Sequence, residues 1–142
     1  MNPGLQFSVV DPDDDYLGIE IHGWNERFSG TTFVYAGLDE LSEFAARIAG
    51  FPANSQDMRT YEFGSLDGQI AGDYCSLRFF TLDSAGNAAL EIILKDDEGR
   101  FGPETAKFRL HHVDAASINQ FLQNLRLVER EQIGEATLVA TL

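Results

Sequence analysis

Alternation and helical spacing divide the 142-residue chain into two similar halves. Leu5–Val10 predicts a strand. Tyr16–His22 alternates, with Leu17, Ile19 and Ile21 on one side and Gly18, Glu20 and His22 on the other, as in a half-buried strand. Thr31–Ala36 is β-branched and aromatic and predicts a third strand. In Leu38–Ala49 the apolar residues Leu38, Leu41, Ala45 and Ile48 fall at helical spacing, flanked by Phe44. Acids occupy its first turns, where the helix dipole favours them, and Gly50 supplies a left-handed stop before Pro52. Residues 51–59 form the longest irregular connection. Further strands are expected at Thr60–Leu66, Asp73–Leu82, Ala88–Lys95 and Thr105–Val113. The third-last of these, Asp73–Leu82, is apolar on both faces and therefore predicts a central strand. Asp114 is a good cap for a second helix, Ala115–Val128, whose buried stripe is Ile118, Phe121, Leu122 and Leu125.

Residues 7–49 can be laid over 77–126 as strand, Asp-containing loop, strand, Arg-Phe turn, strand, helix. Leu17, Ile19 and Ile21 parallel Leu90, Ile92 and Leu94; Arg27-Phe28 parallels Arg100-Phe101. This predicts a pseudo-repeat with halves near 5–50 and 60–128. Strands and helices come in blocks, without regular βαβ alternation. The expected fold is one α+β domain over residues 1–142. A mainly antiparallel sheet from 5–36 and 60–113 would carry both helices on one face. Residues 136–142 are apolar and β-branched, without charge or proline. Exposed, such a segment aggregates, so a paired strand is expected, on the chain's own sheet edge or on that of a second copy. Pairing across a two-fold axis would make a homodimer.

Charge changes the picture more than composition does. The formal net charge is −13, with twelve acids and three bases in the first 71 residues. There is no basic cluster to displace counterions from phosphate, which argues against nucleic acid and anionic membranes as partners. A negative surface suits a basic protein partner, or simply solubility. No apolar run reaches the roughly 20 residues that span a bilayer. Met1-Asn2-Pro3-Gly4 lacks the basic and apolar regions of a secretion signal. The single cysteine, Cys75, excludes an internal disulfide. A cytoplasmic protein is expected.

Candidate chemistry is sparse. Asp11, Asp13 and Asp15 have the opening spacing of a calcium loop. The sixth position is Tyr16 where a glycine is needed, and the twelfth is His22 where a bidentate Glu is needed. His111 and His112 are adjacent, so on a regular strand they point to opposite faces. No zinc-type spacing occurs, and Cys75 lies in the most apolar strand. Gly64-Ser65-Leu66-Asp67-Gly68 is no nucleophile elbow, because its second glycine comes one place late. No catalytic residue, metal site or cofactor is therefore expected. Three groups remain for binding. Trp24, Arg27 and Phe28 are of the types that carry interface energy, or else cap one end of the core. Asp57 and Arg59 lie in the long joining loop and either pair to pin it or serve a functional loop. Asp13, Asp14 and Asp15 form an acidic turn.

The element order, the Arg-Phe turn and the connection from Gly50-Phe51-Pro52 to Arg59 resemble those of small bacterial α+β proteins. Some of these are similar to the WapI-type immunity proteins of contact-dependent toxin systems. The resemblance covers the layout of most of the chain. It implies a cytoplasmic, non-enzymatic protein that binds a toxin domain, with no functional residue carried over. Two functions are thus expected from the sequence. The first is a non-enzymatic binding protein, of immunity type, that engages a basic protein. The second is a small-ligand-binding or regulatory domain with a cleft between sheet and helices.

Overall fold

The computed structural model describes residues 2–64, 73–96 and 103–141. The chain runs β1 (Gly4–Pro12), β2 (Tyr16–Trp24), β3 (Ser29–Gly37), α1 (Glu40–Ile48), β4 (Met58–Gly64), β5 (Tyr74–Thr81), β6 (Ala88–Asp96), β7 (Glu104–Val113), α2 (Ala115–Glu131), β8 (Glu135–Val139). The expected α+β class holds. The strands, all antiparallel to their neighbours, form two four-stranded sheets in place of the single sheet expected: β3-β2-β1-β8 and β4-β5-β6-β7. Periodicity reports which face of a strand is buried; it does not report which strand lies beside it. Asp73–Leu82, expected to be central, contributes an interior strand, β5.

The two sheets complete the repeat in an unexpected way. Each helix is followed by a strand that joins the sheet of the other half: β4 lies beside β5, and β8 lies beside β1. Read as β8-β1-β2-β3-α1 and β4-β5-β6-β7-α2, the units match in element order. Residues 135–139 pair within the chain, one of the two arrangements expected for the C-terminal segment.

Inward positions of each strand are apolar and those of both sheets face one core. The inner faces touch directly where Gly23 and Gly30 lie against Ile92, Leu94, Ala106 and Phe108; a Cβ on either glycine would come within 3.1 Å of these side chains. Phe7 of β1 also meets Phe63 of β4 directly, ring centroids 5.4 Å apart, and the α1–α2 pair fills the rest of the space between the sheets. Phe44 of α1 lies against Phe7 of β1, Phe63 of β4, Phe79 of β5 and Phe121 of α2, with ring centroids 5.5–6.4 Å apart. It flanks the helical stripe and is fully buried among these rings. Leu38 is half-exposed because the helix starts after it, at Glu40.

The helix starts are held in two different ways, that of α2 as the sequence predicts. Asp114 accepts from the Ser117 N–H (2.7 Å), and Gln132, at φ 56°, closes α2 one turn later than expected. Asp39 makes no side-chain cap on α1. The Glu129 carboxylate of α2 does so instead, accepting from the Ser42 N–H (3.0 Å) and the Ser42 hydroxyl. An orphan donor in the first turn of α1 is thus satisfied from 87 residues away, which fixes the two helices against each other. Among the described residues, no helix is long and apolar enough to cross a membrane.

Phe44→Ala should destabilise the domain by about 3–5 kcal/mol, as for other buried aromatic truncations. Glu129→Ala should cost about 1 kcal/mol, the usual value of a lost cap. Urea unfolding of the two variants beside the parent checks both numbers and their order.

Candidate binding cleft

Both sheets carry their chemistry on the face turned away from the core. On the second sheet, cross-strand register sets Arg78, Glu91 and Arg109 side by side on β5, β6 and β7. Glu91 is only 7% exposed, although its strand reads Ala89-Leu90-Glu91-Ile92-Ile93. Its Oε2 accepts from Arg78 Nη2 and from Arg109 Nε and Nη2, each at 3.2 Å. Both guanidinium groups lie near the Phe80 ring, at 4.5 and 5.8 Å from its centroid. Burial pushes the Glu91 carboxyl up, but the two arginine hydrogen bonds and the nearby cations outweigh it, and the net shift is down.

The β2–β3 turn folds against β7, an edge strand of this sheet. Asn25 organises it. Its Oδ1 accepts from the N–H groups of Arg27 and Phe28, both at 2.8 Å, and its Nδ2 donates to the Arg109 carbonyl at 2.9 Å. The last bond occupies an edge carbonyl of β7 that would otherwise be open to another strand. The turn therefore stands beside the outer face of β7 and leaves a cleft of about 570 Å³ between them. Phe28 supplies an apolar wall, with the edge of buried Phe108 beneath; Arg27, Lys107, Arg109 and Glu91 supply charge.

A bulge shapes the floor of the cleft. Ala88 faces Val113 and Ala89 faces His111, so His112 is an extra residue in β7. It sits at φ 60°, a left-handed conformation uncommon for a side chain-bearing residue. The extra residue breaks the two-fold alternation. His111 and His112 consequently line the same cleft, where a regular strand would separate them. His112 also lines a second, smaller hollow with Asp114 at the start of α2.

The residues singled out in the sequence fall into three places. Arg27 and Phe28 line the cleft, and Phe28 is 60% exposed, so it does not cap the core. Trp24 is outside the cleft lining. Its ring stacks on His22 at 5.1 Å, its Nε1 donates to the Asn2 carbonyl at 2.8 Å, and a Cβ at Gly4 would lie 2.7 Å from it. Trp24 thus clamps the start of β1. Asp57 and Arg59 pair at 2.9 Å. Arg59 also donates to the carbonyls of Arg47 (3.1 Å) and Ala49 (2.7 Å), satisfying the C-terminal end of α1. The Ala53 N–H, then Arg59, holds the Asp57 carboxyl below its usual range. This pair pins the joining loop.

Asp13, Asp14 and Asp15 are exposed in the β1–β2 turn. That turn lies at the other end of nine-residue β2 from Trp24, roughly 26 Å away at strand rise. The Tyr16 phenol beside them is shifted up, chiefly by the charge of Asp13. Cys75 is fully buried and burial shifts its thiol up. Among the described residues, no group of three or more His, Cys, Asp or Glu side chains could hold a metal ion. Residues 65–68 of the elbow-like segment, and Arg100 and Phe101 of the second Arg-Phe turn, lie outside the described residues.

No family model, curated protein or solved structure matches this chain.

Glu91→Gln should lower stability by about 1–2 kcal/mol at neutral pH, the usual worth of hydrogen bonds to a charged group after discounting for the exposed arginines. Because the folded-state carboxyl is shifted down, the parent's extra stability is present above the ordinary Glu range. It is lost as pH falls through the lower folded value. The stability gap between parent and variant, followed by urea titration from pH 7 down to pH 3, should therefore close on acidification. A gap independent of pH would show that Glu91 acts by packing alone.

Proposed function

We propose that this protein is a small-ligand-binding protein, not an enzyme, and that its ligand seats in the cleft between the β2–β3 turn and the outer face of β7. The observation that carries this reading is convergence. A hairpin turn locked by Asn25 and a bulge at His112 bring an exposed aromatic ring and several donor side chains to one concavity. The volume is that of an ordinary small-molecule site, which spans roughly 300–1,000 Å³. This cleft differs in place from the one between sheet and helices expected from the sequence, where Phe44 and its neighbours fill the space. The non-enzymatic part rests on the state of the reactive groups. Glu91 is committed to two arginines, and the Cys75 thiol is buried with its ionisation suppressed.

Amide shift mapping with a set of fragments of mixed charge tests the reading. Hits should converge on residues 25–28 and 107–112. Hits scattered over the surface, or confined to another region, would overturn it.

A second reading is that the chain is an immunity-type binding protein of the cytoplasm that engages a basic protein. Its support is the acidic turn of three exposed aspartates, of which Asp13 and Asp15 act by charge on Tyr16. The two surfaces lie at opposite ends of β2 and can be tested separately. Association with a basic partner through this turn should slow as salt rises, with a Debye length of about 10 Å at 0.1 M. Asp13→Asn, Asp14→Asn and Asp15→Asn together should slow it further, with the unfolding midpoint unchanged. Kinetics indifferent to both would leave these acids as surface charge only.

A further inference from the structure

Building on the assignment of the cleft as a small-ligand site, we infer that its ligand is an organic anion: one carboxylate carried on a flat apolar body. The charges around the cleft are unequally committed. Arg109 spends two of its nitrogens on Glu91, and Arg78 stands behind the same carboxylate. That network commits both arginines to one carboxylate and carries one positive charge in excess. Arg27 and Lys107 are different. Both line the cleft, both are exposed, and neither side chain forms a hydrogen bond or ion pair among the described residues. They approach from opposite walls, one on the β2–β3 turn and the other on β7. Glu26 is the opposing charge on the turn, and it too is exposed. With Glu91 held by its two arginines and Lys107 acting on it through charge alone, the cleft offers two cations with no hydrogen-bonded acid among the described residues, against the carboxylate of Glu26. His111 and His112 add further ring nitrogens at the bulged end.

This balance is the reverse of the whole protein, which carries −13. The contrast limits the size of the ligand. A long polyanion would extend past the cleft and meet the acidic remainder of the surface. A small anion senses only charges within a Debye length, about 8 Å at physiological salt. The apolar part follows from the walls. Phe28, 60% exposed, presents ring surface beside the cations, so a flat body can lie against it while its carboxylate reaches the donors.

The test uses the full chain and four probes: benzoate, benzyl alcohol, benzamidine and inorganic phosphate. Amide shifts report where and how tightly each one binds. Benzoate should move residues 25–28 and 107–112 and bind more tightly than the other three. Arg27→Ala with Lys107→Ala should weaken benzoate about tenfold, the scale of one charge-assisted contact. Because neither side chain holds a hydrogen bond among the described residues, and Lys107 acts on Glu91 only through its charge, the spectrum away from the cleft should stay unchanged. Should the double variant fail to fold, salt dependence decides on the parent: added NaCl should weaken benzoate and leave benzyl alcohol unaffected. Equal binding of benzyl alcohol or benzamidine would overturn the anionic assignment. Equal binding of phosphate would overturn the apolar body. Neutral or cationic probes seated in the cleft as tightly as benzoate would sink this inference and leave the small-ligand reading standing, whereas no probe at the cleft would sink both.

Discussion

Phe44 is the ring on which the whole molecule closes. Two sheets, each with an apolar inner face, do not satisfy each other completely: they meet at the glycine-lined ends of β2 and β3, at Phe7 of β1 against Phe63 of β4, and where β3 hydrogen-bonds to Asp73 and Lys95. The remaining space is filled by the two helices. Phe44 enters it from α1 and meets rings from β1, β4, β5 and α2. A side chain that contacts every layer couples them, so the domain has one core and not two. The Glu129–Ser42 contact holds the two helices in the register that this packing needs.

Much of this was legible from residue spacing. The stripes of α1 and α2, the inward triads Leu17-Ile19-Ile21 and Leu90-Ile92-Leu94, the Gly50 stop and the Asp114 cap all act locally, and local chemistry is what a sequence displays. The division into two sheets was not legible. Nothing in β3 or β4 announces that they will not pair, since each has an ordinary alternating pattern. The cap on α1 was hidden for the same reason, its acceptor being supplied from α2.

The cleft shows the same limit more sharply. Arg27 and Phe28 drew attention by residue type. Arg109, Lys107 and Glu91 did not, because their proximity depends on strand register and on a turn from the other sheet. One signal was present: a carboxylate within Ala89-Leu90-Glu91-Ile92-Ile93 predicts a buried acid that needs cationic partners. The pair of histidines misled in the opposite direction. Their opposite orientation follows from regular pleating, and a single inserted residue at φ 60° removes that premise.

The exchange of strands between halves bears on how the chain can be made. Gln6 and Thr137, hydrogen-bonded neighbours in the first sheet, are 131 positions apart in the chain. The second sheet needs no residue beyond Val113, and its helix follows at once. During vectorial synthesis, then, the half that emerges first is the last to be finished. Its β1 must wait, one edge unpaired, until residues 135–139 arrive. The later half can reach its full complement of strands and helix before them. Translation order and assembly order run in opposite directions along this polypeptide.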